Sequence, residues 1–369
     1  MASILILANS SAGLYDFRNE LVQALLARGH DVTVSLPDTV KTALLEAEGC
    51  TVVHTPLNRR GMNPLQDFHL LGNYRKLIRT RRPDLVLCYT IKPNVYGGMA
   101  CARKGVPYIE TVTGLGSAFQ KKGPLRMLVS ALCRAGMKQA ACVFFQNEEN
   151  LRRFREFGIL HGKTKLVPGS GVDLETHPLM DYPDGPATRF LFVGRMMREK
   201  GILEYLEAAR ALHGPEVEFE LLGYCDEDLQ PLLDERERAG EIRQLGFRPE
   251  VNEFYRRCSA LVLPSYHEGM SNVLMEASAC GRPVIASRIS GCREILEEGE
   301  TGLCFEPRDA ASLIEALRRF LSLRPGERAR MGRKARERME ERFDRRIVTR
   351  SYLDEIEGIL KRGEQHGRL

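Results

Sequence analysis

Short runs of Val, Ile and Leu recur along the chain, separated by longer stretches whose apolar residues return every three or four positions. In the first half the runs are Ile4–Ala8, Asp31–Leu36, Thr51–His54, Leu85–Cys88, Tyr108–Val112, Cys142–Phe145 and Lys165–Val167. Amphipathic segments such as Leu14–Arg28 and Pro64–Arg81 lie between them. Short strands that are apolar at consecutive positions are buried on both faces, and their alternation with helices builds a parallel, doubly wound sheet. Pro178, Pro183, Gly185 and Pro186 then break the pattern as a linker would. It restarts at Arg189–Gly194 and continues through Val217–Leu222, Ala260–Pro264 and Pro283–Ala286, before a charged helical segment from Asp309 to about Lys361. The pattern predicts an α/β protein of two Rossmann-like domains facing each other across a cleft. The first spans 1–180, the second 187–345, and a C-terminal helix, 346–369, packs back towards the first.

Length agrees with this division, since 369 residues exceed what one core usually serves. Hydrophobic residues make up 43% and charged residues 28%, an ordinary globular balance that excludes disordered and fibrous classes. No apolar run is long enough for a spanning helix, and the first eight residues read as a strand rather than a secretory signal. The ten cysteines form no C-x-x-C pair and no cluster at zinc spacing. They read as reduced thiols of a cytoplasmic protein without a metal site. Charge is uneven: residues 1–180 hold 23 Lys+Arg against 14 Asp+Glu, and residues 181–369 hold 31 against 35. The basic half is suited to an anionic partner such as phosphate, nucleic acid or a membrane surface.

Phosphate sites on such sheets sit where a strand hands over to a helix. Two familiar patterns fail there. Gly114-x-Gly116 and Gly169-x-Gly171 begin a dinucleotide fingerprint, but Phe119 and Leu174 replace its third glycine, and Gly158–Thr164 is one residue short of a P-loop. A third pattern carries more. After the apolar run Leu261–Leu263, Glu268 falls on a Gly-containing turn, Ser271 or Asn272 caps the next helix, and Glu276 lies one or two turns in. Free amides of Ser271, Asn272 and Val273, with Met270 beside them, form an anion site. Glu268 is placed to accept from sugar hydroxyls and Glu276 from a ribose; the alternative is a surface-loop acid and a solvated helix acid. Its complement is Gly194-Arg195-x4-Lys200-Gly201, where Arg195 offers a phosphate-matching fork and Lys200 a point charge. Gly13 lets the first-domain backbone approach a diphosphate, unless it is only a helix-entry glycine. Phe247 and Arg248 are candidates for base recognition, although Phe247 fits a core equally well.

Together Gly194–Gly201 and Glu268-x7-Glu276 resemble the glycosyltransferase family 4 pattern, and the likeness extends from Leu7–Gly13 through Leu26–Val32 and Pro168–Asp173 to the helical tail. The resemblance implies a GT-B fold, a nucleotide-sugar donor (UDP-linked), retention at the anomeric carbon, and neither metal nor cofactor. Tyr89–Gly98 and Thr113-Gly114-Leu115-Gly116 are similar to a capsule and lipid-linked-glycan subgroup that includes N-acetylgalactosaminyltransferases acting on undecaprenyl-diphosphate-linked sugars. That implies a polyprenyl-diphosphate-linked acceptor, with Lys92 near its phosphates and Thr113 and Gly114 in its site. Many relatives carry a His in the Val112–Gly114 loop; here there is none, and Thr113 is a hydrogen-bonding substitute. The basic amphipathic stretch Ala118–Ala141, with Lys121, Lys122, Arg126, Arg134 and Lys138, suits an anionic membrane surface and a peripheral place on the inner face of the cytoplasmic membrane. A solvated cationic helix face is the plainer reading. A sugar-nucleotide epimerase is the competing enzyme, and a nucleic-acid-binding protein is disfavoured because the aromatics do not alternate with the cations.

Overall fold

The computed structural model describes the chain except for Arg60, Met62 and residues 115–118, 120–122 and 366–369. Leu115, Gly116, Lys121 and Lys122, singled out above, lie outside the described residues. The chain divides into two compact units, one of Met1–Ser170 with Arg346–Leu369, the other of Gly171–Arg345.

In unit 1 the elements run β1 (Ser3–Leu7), α1 (Ser11–Ala27), β2 (Asp31–Leu36), α2 (Thr42–Ala47), β3 (Thr51–His54), α3 (Pro64–Arg81) and β4 (Leu85–Tyr89). A π-helical turn, Pro93–Gly97, leads into α4 (Gly98–Lys104), β5 (Tyr108–Val112), α5 (Pro124–Met137), β6 (Cys142–Phe145), α6 (Glu148–Glu156) and β7 (Thr164–Leu166). All seven strands are parallel, in the order β3-β2-β1-β4-β5-β6-β7, with Ile4 level with both Val32 and Leu85. Ile4, Ile6, Val34 and Leu87 are fully buried, and α13 (Arg345–Gln365) adds Tyr352 and Ile356 to their cluster. Tyr352 stacks on Phe144 at 4.1 Å, and its hydroxyl pairs with Thr111 Oγ1 at 2.7 Å. Each such side chain contributes roughly 1.5–3 kcal/mol by leaving water, which ties the last helix to the first unit.

Unit 2 contains β8 (Thr188–Val193), α7 (Ile202–Leu212), β9 (Val217–Leu222), α8 (Gln230–Arg238), β10 (Arg243–Gly246), α9 (Asn252–Arg257) and β11 (Ala260–Leu263). Then follow α10 (Asn272–Ala279), β12 (Val284–Ser287), β13 (Gly302–Phe305), α11 (Ala310–Ser322) and α12 (Pro325–Arg338). The sheet is again parallel, ordered β10-β9-β8-β11-β12-β13. Both orders turn back on themselves at the first strand. That puts a topological switch point between β1 and β4 in unit 1 and between β8 and β11 in unit 2, where ligands of such sheets bind.

The division falls between Ser170 and Gly171, whereas the Pro-rich reading put the linker at 180–187; residues 178–186 belong to unit 2. The chain enters and leaves unit 2 at one place: Val172 N donates to Phe343 O at 2.8 Å and Arg345 N to Val172 O at 3.0 Å. Gly171, at φ +69°, lets the two segments meet, since a Cβ there would lie 2.5 Å from Arg345 Cα.

Candidate active site

Four strand ends of unit 2 converge at its switch point. β8 runs out at Gly194, and β9 at Gly223, whose φ of +145° is paired with a close approach: a Cβ on Gly223 would lie 1.9 Å from Gly194 O. The two turns are therefore in backbone contact, and Arg195 Nη1 donates to Asp226 Oδ2 at 2.6 Å. Arg195 keeps 39% of its side chain exposed.

Lys200 closes a 3-10 turn, Arg198–Lys200, before α7. Gly201 follows at φ +72°, and a Cβ there would lie 2.0 Å from Pro264 O, so only glycine lets the β8 and β11 turns pass. Tyr266 N donates to Glu199 O at 2.9 Å, fixing the same crossing. As a result Lys200 Nζ donates to Glu268 Oε1 at 2.5 Å, with side chains 26% and 12% exposed. Cys292, buried nearby, has its thiol pushed up by burial first and then by Glu268.

The sequence-based anion site needs a correction. Ser271 occupies the N-cap position of α10, but its side chain makes no cap bond, and its amide donates to Gly291 O at 3.2 Å. That amide is not available to a ligand. Gly291 is shaped for the contact, since a Cβ there would meet Gly269 O at 2.5 Å. Asn272 and Val273 open α10 and are half-buried, while Met270 packs into the hydrophobic core. Glu276 is half-buried and accepts from Tyr255 OH at 3.0 Å. Phe247 is not a core residue: it is 66% exposed, edge-on to Tyr224 at 6.4 Å, beside an exposed Arg248.

In unit 1, Gly13 lies in the first turn of α1, and its amide donates to Ser10 Oγ at 3.2 Å. Its φ is not positive, and a Cβ would meet only Ser10, at an ordinary 3.4 Å. Lys92 Nζ donates to Asp67 Oδ1 at 2.8 Å. Thr113 and Gly114 are half-buried beyond β5. Arg134 donates to the carbonyls of Gly158 and Phe157 at 2.7 and 2.9 Å, finishing α6 rather than standing free, and Phe119 is buried against Phe154 and Phe157.

Sequence reasoning missed Asp226, Tyr255, Pro264 and Gly291. Only Gly291, in a Ser-Gly pair just after an apolar run, carried a local signal. Among the described residues no group of three or more His, Cys, Asp or Glu is arranged to hold a metal ion.

Residues 183–338 match the glycosyl transferases group 1 family and residues 3–147 the glycosyl transferase 4-like family. One similar relative is the N,N'-diacetylbacillosaminyl-diphospho-undecaprenol alpha-1,3-N-acetylgalactosaminyltransferase of Campylobacter jejuni, 26% identical over 96% of this chain and 98% of that protein. A glycogen synthase of Mycobacterium tuberculosis is 33% identical over 49% of this chain and 44% of its own. Among solved structures, a sucrose-phosphate synthase of Thermosynechococcus elongatus matches with TM-score 0.81 at 21% identity, covering 98% of this chain and 100% of the other. HepE of Anabaena, solved with UDP and glucose, matches with TM-score 0.77 at 20% identity, covering 97% and 100%. Two parallel α/β units with these structural neighbours define the GT-B fold. The chain is thus a glycosyltransferase whose second half matches the group 1 family and whose first half matches the glycosyl transferase 4-like family.

Proposed function

We propose that the protein is a retaining, metal-independent family 4 hexosyltransferase. It moves an N-acetylhexosamine, GalNAc as the first choice, from UDP to a polyprenyl-diphosphate-linked glycan during assembly of a bacterial surface polysaccharide or glycoprotein glycan. The observation that carries this reading is the Lys200–Glu268 pair at the unit 2 switch point, with Arg195 on the adjoining turn.

Breaking a sugar–diphosphate bond builds positive charge at the anomeric carbon and negative charge on the departing β-phosphate. Cations fixed beforehand favour that separated state over the ground state. Arg195 and Lys200 supply them, and Asp226 and Glu268 hold both in place before substrate arrives. Glu268 orients the sugar hydroxyls. Glu276 accepts from the ribose with its Tyr255-bound carboxylate, Phe247 and Arg248 meet the base, and Asn272 and Val273 offer the first amides of α10. The acceptor hydroxyl attacks on the face the phosphate leaves: its oxygen bonds to the anomeric carbon, the carbon–phosphate-oxygen bond breaks, and the proton passes to the departing phosphate. Retention follows. Gly13, in the first turn of α1, leaves room for the first-unit backbone to approach the donor diphosphate.

The acceptor reading is supported by the undecaprenol-linked acceptor in the name of the Campylobacter relative. Lys92, Thr113 and Gly114 border its phosphates. No helix among the described residues is long and apolar enough to cross a membrane. However, α5 exposes Leu125, Met127 and Leu128 beside Arg126, and α3 exposes Leu65 and Phe68, a surface suited to peripheral contact with anionic lipid. The test is transfer from UDP-GalNAc to a synthetic polyprenyl-diphosphate saccharide, with the product linkage read by NMR and with EDTA in a parallel reaction. An α-linked product, unchanged by EDTA, is expected; a β-linked product ends the retention argument, and no transfer ends the acceptor assignment. Flotation with anionic vesicles at low salt tests the membrane contact separately.

A further inference from the structure

The edge of the unit 1 sheet opposite its strand ends holds a pocket of about 1120 Å³. Its wall is the peptide leading into β4, β5 and β6, together with the last turns of α3, α4 and α13. Ile359 and Val106 give it an apolar floor, and Arg79, Arg82, Lys104 and Arg362 stand around it. We infer that this pocket binds a phosphate ester, at a site separate from sugar transfer.

The charge balance decides the sign. Arg79, Arg82 and Lys104 have no carboxylate within reach among the described residues. Arg362 lies 3.9 Å from Glu355, but that carboxylate already holds Lys163 and Lys165 at 2.7 and 2.9 Å. Asp84 is the one acid in the lining, and its Oδ2 accepts from Ser3 N at 2.7 Å. Cations at helix C-termini ordinarily offset the helix dipole, about half a negative charge for each of the three ends here. With four cations in the lining against Asp84 and the three helix ends, the pocket is net positive, the sign a phosphate needs. The volume suits a drug-sized ligand, and a five-residue strand separates this edge from the switch point by about 17 Å.

A soluble phosphate ester and a phospholipid headgroup share this chemistry, so the test has two arms. The full chain is titrated calorimetrically at low salt with glucose 1-phosphate and with monomeric dihexanoyl phosphatidic acid. It is also floated with phosphatidylcholine vesicles with and without phosphatidic acid. Saturable binding of one equivalent is expected, weakened roughly tenfold or more by Arg79→Glu with Lys104→Glu and unchanged by Lys200→Ala. Should the double variant melt early, Arg79→Gln and Lys104→Gln carry the test singly. Binding of glucose 1-phosphate identifies a small-molecule site, and binding of the lipid probes alone identifies a headgroup site. Absence of saturable binding, indifference to charge reversal, or loss with Lys200→Ala overturns the inference; the last outcome would place the probe in the transfer site.

Discussion

Lys92 follows β4 in unit 1 and Lys200 follows β8 in unit 2, and both ammonium groups rest on a carboxylate, Asp67 at 2.8 Å and Glu268 at 2.5 Å. The surroundings differ. Asp67 sits in the first turn of α3 and also bonds Tyr96, so the Lys92 pair, with side chains 15% and 11% exposed, fastens a helix to the turn beyond β4. The Lys200 pair lies between turns held by close backbone crossings at Gly201 and Gly291, next to a second, more exposed cation. One ion-pair chemistry thus does two kinds of work, and the neighbours decide which. A pair joined by side chains from packed helices locks the fold and holds its cation in place beside an acceptor, whereas a pair carried on glycine-shaped turns at a switch point is open to exchange for a ligand.

The comparison is broken most directly by Lys200→Ala. Turnover is expected to fall about a thousandfold, the scale of losing one preorganised charge contact, with the melting curve nearly unchanged. If Lys92→Ala produced the larger loss of turnover in a folded protein, the two roles would be reversed. Gly201→Ala comes next. Its positive φ and the Pro264 carbonyl 2.0 Å from the new Cβ should cost about 3 kcal/mol in urea unfolding and separate Lys200 from Glu268, so activity falls as well. For Lys92→Ala itself, leaving Asp67 unpaired should cost about 2 kcal/mol, less than full burial would exact, again read in urea.

The buried acids of the two sheets sharpen the contrast at smaller scale. Glu110 in β5 is fully buried, neither oxygen has a hydrogen-bond partner among the described residues, and Gly98 makes room for it. Burial raises its carboxyl well above the ordinary range. Glu220 in β9 is also raised by burial, but Arg257, 3.1 Å away, opposes the rise. Since folded Glu110 holds a proton that the unfolded chain releases above its ordinary value, its contribution to stability falls as pH rises between those two values. The slope is at most about 1.4 kcal/mol per pH unit. Urea midpoints from about pH 5 to 8 should fall less steeply in Glu110→Gln, and a parallel slope would refute the protonated state. Smallest of all, Phe247→Ala should change stability by under about 0.5 kcal/mol, because the ring is largely in water, while raising the donor KM.

The central strands were legible because parallel strands covered on both faces leave an unbroken apolar signature, as in β1, β4, β6 and β11. β10, Arg-Gln-Leu-Gly at a sheet edge, lacks that signature, and β13 offers only Leu-Cys-Phe after a glycine; neither was read. At the site, Arg195, Lys200 and Glu268 stood out through local spacing, and the structure brings the last two together. Asp226 did not stand out, because it reaches Arg195 only after a whole β-α-β excursion. The Ser271 amide was misjudged for the same reason: its acceptor, Gly291, belongs to a strand end not yet written when the motif is read. Composition likewise could not separate Arg134, spent on the end of α6, from a cation facing solvent.

Because Tyr352 and Ile356 complete the cluster around β1, the opening β-α units are finished only after residues 171–345 have been made. Residues 171–345 have both of their boundary segments in hand before α13 emerges. The opening β-α units meanwhile wait with a bare apolar surface for a helix some three hundred residues away, so the order of synthesis and the order of completion run opposite ways.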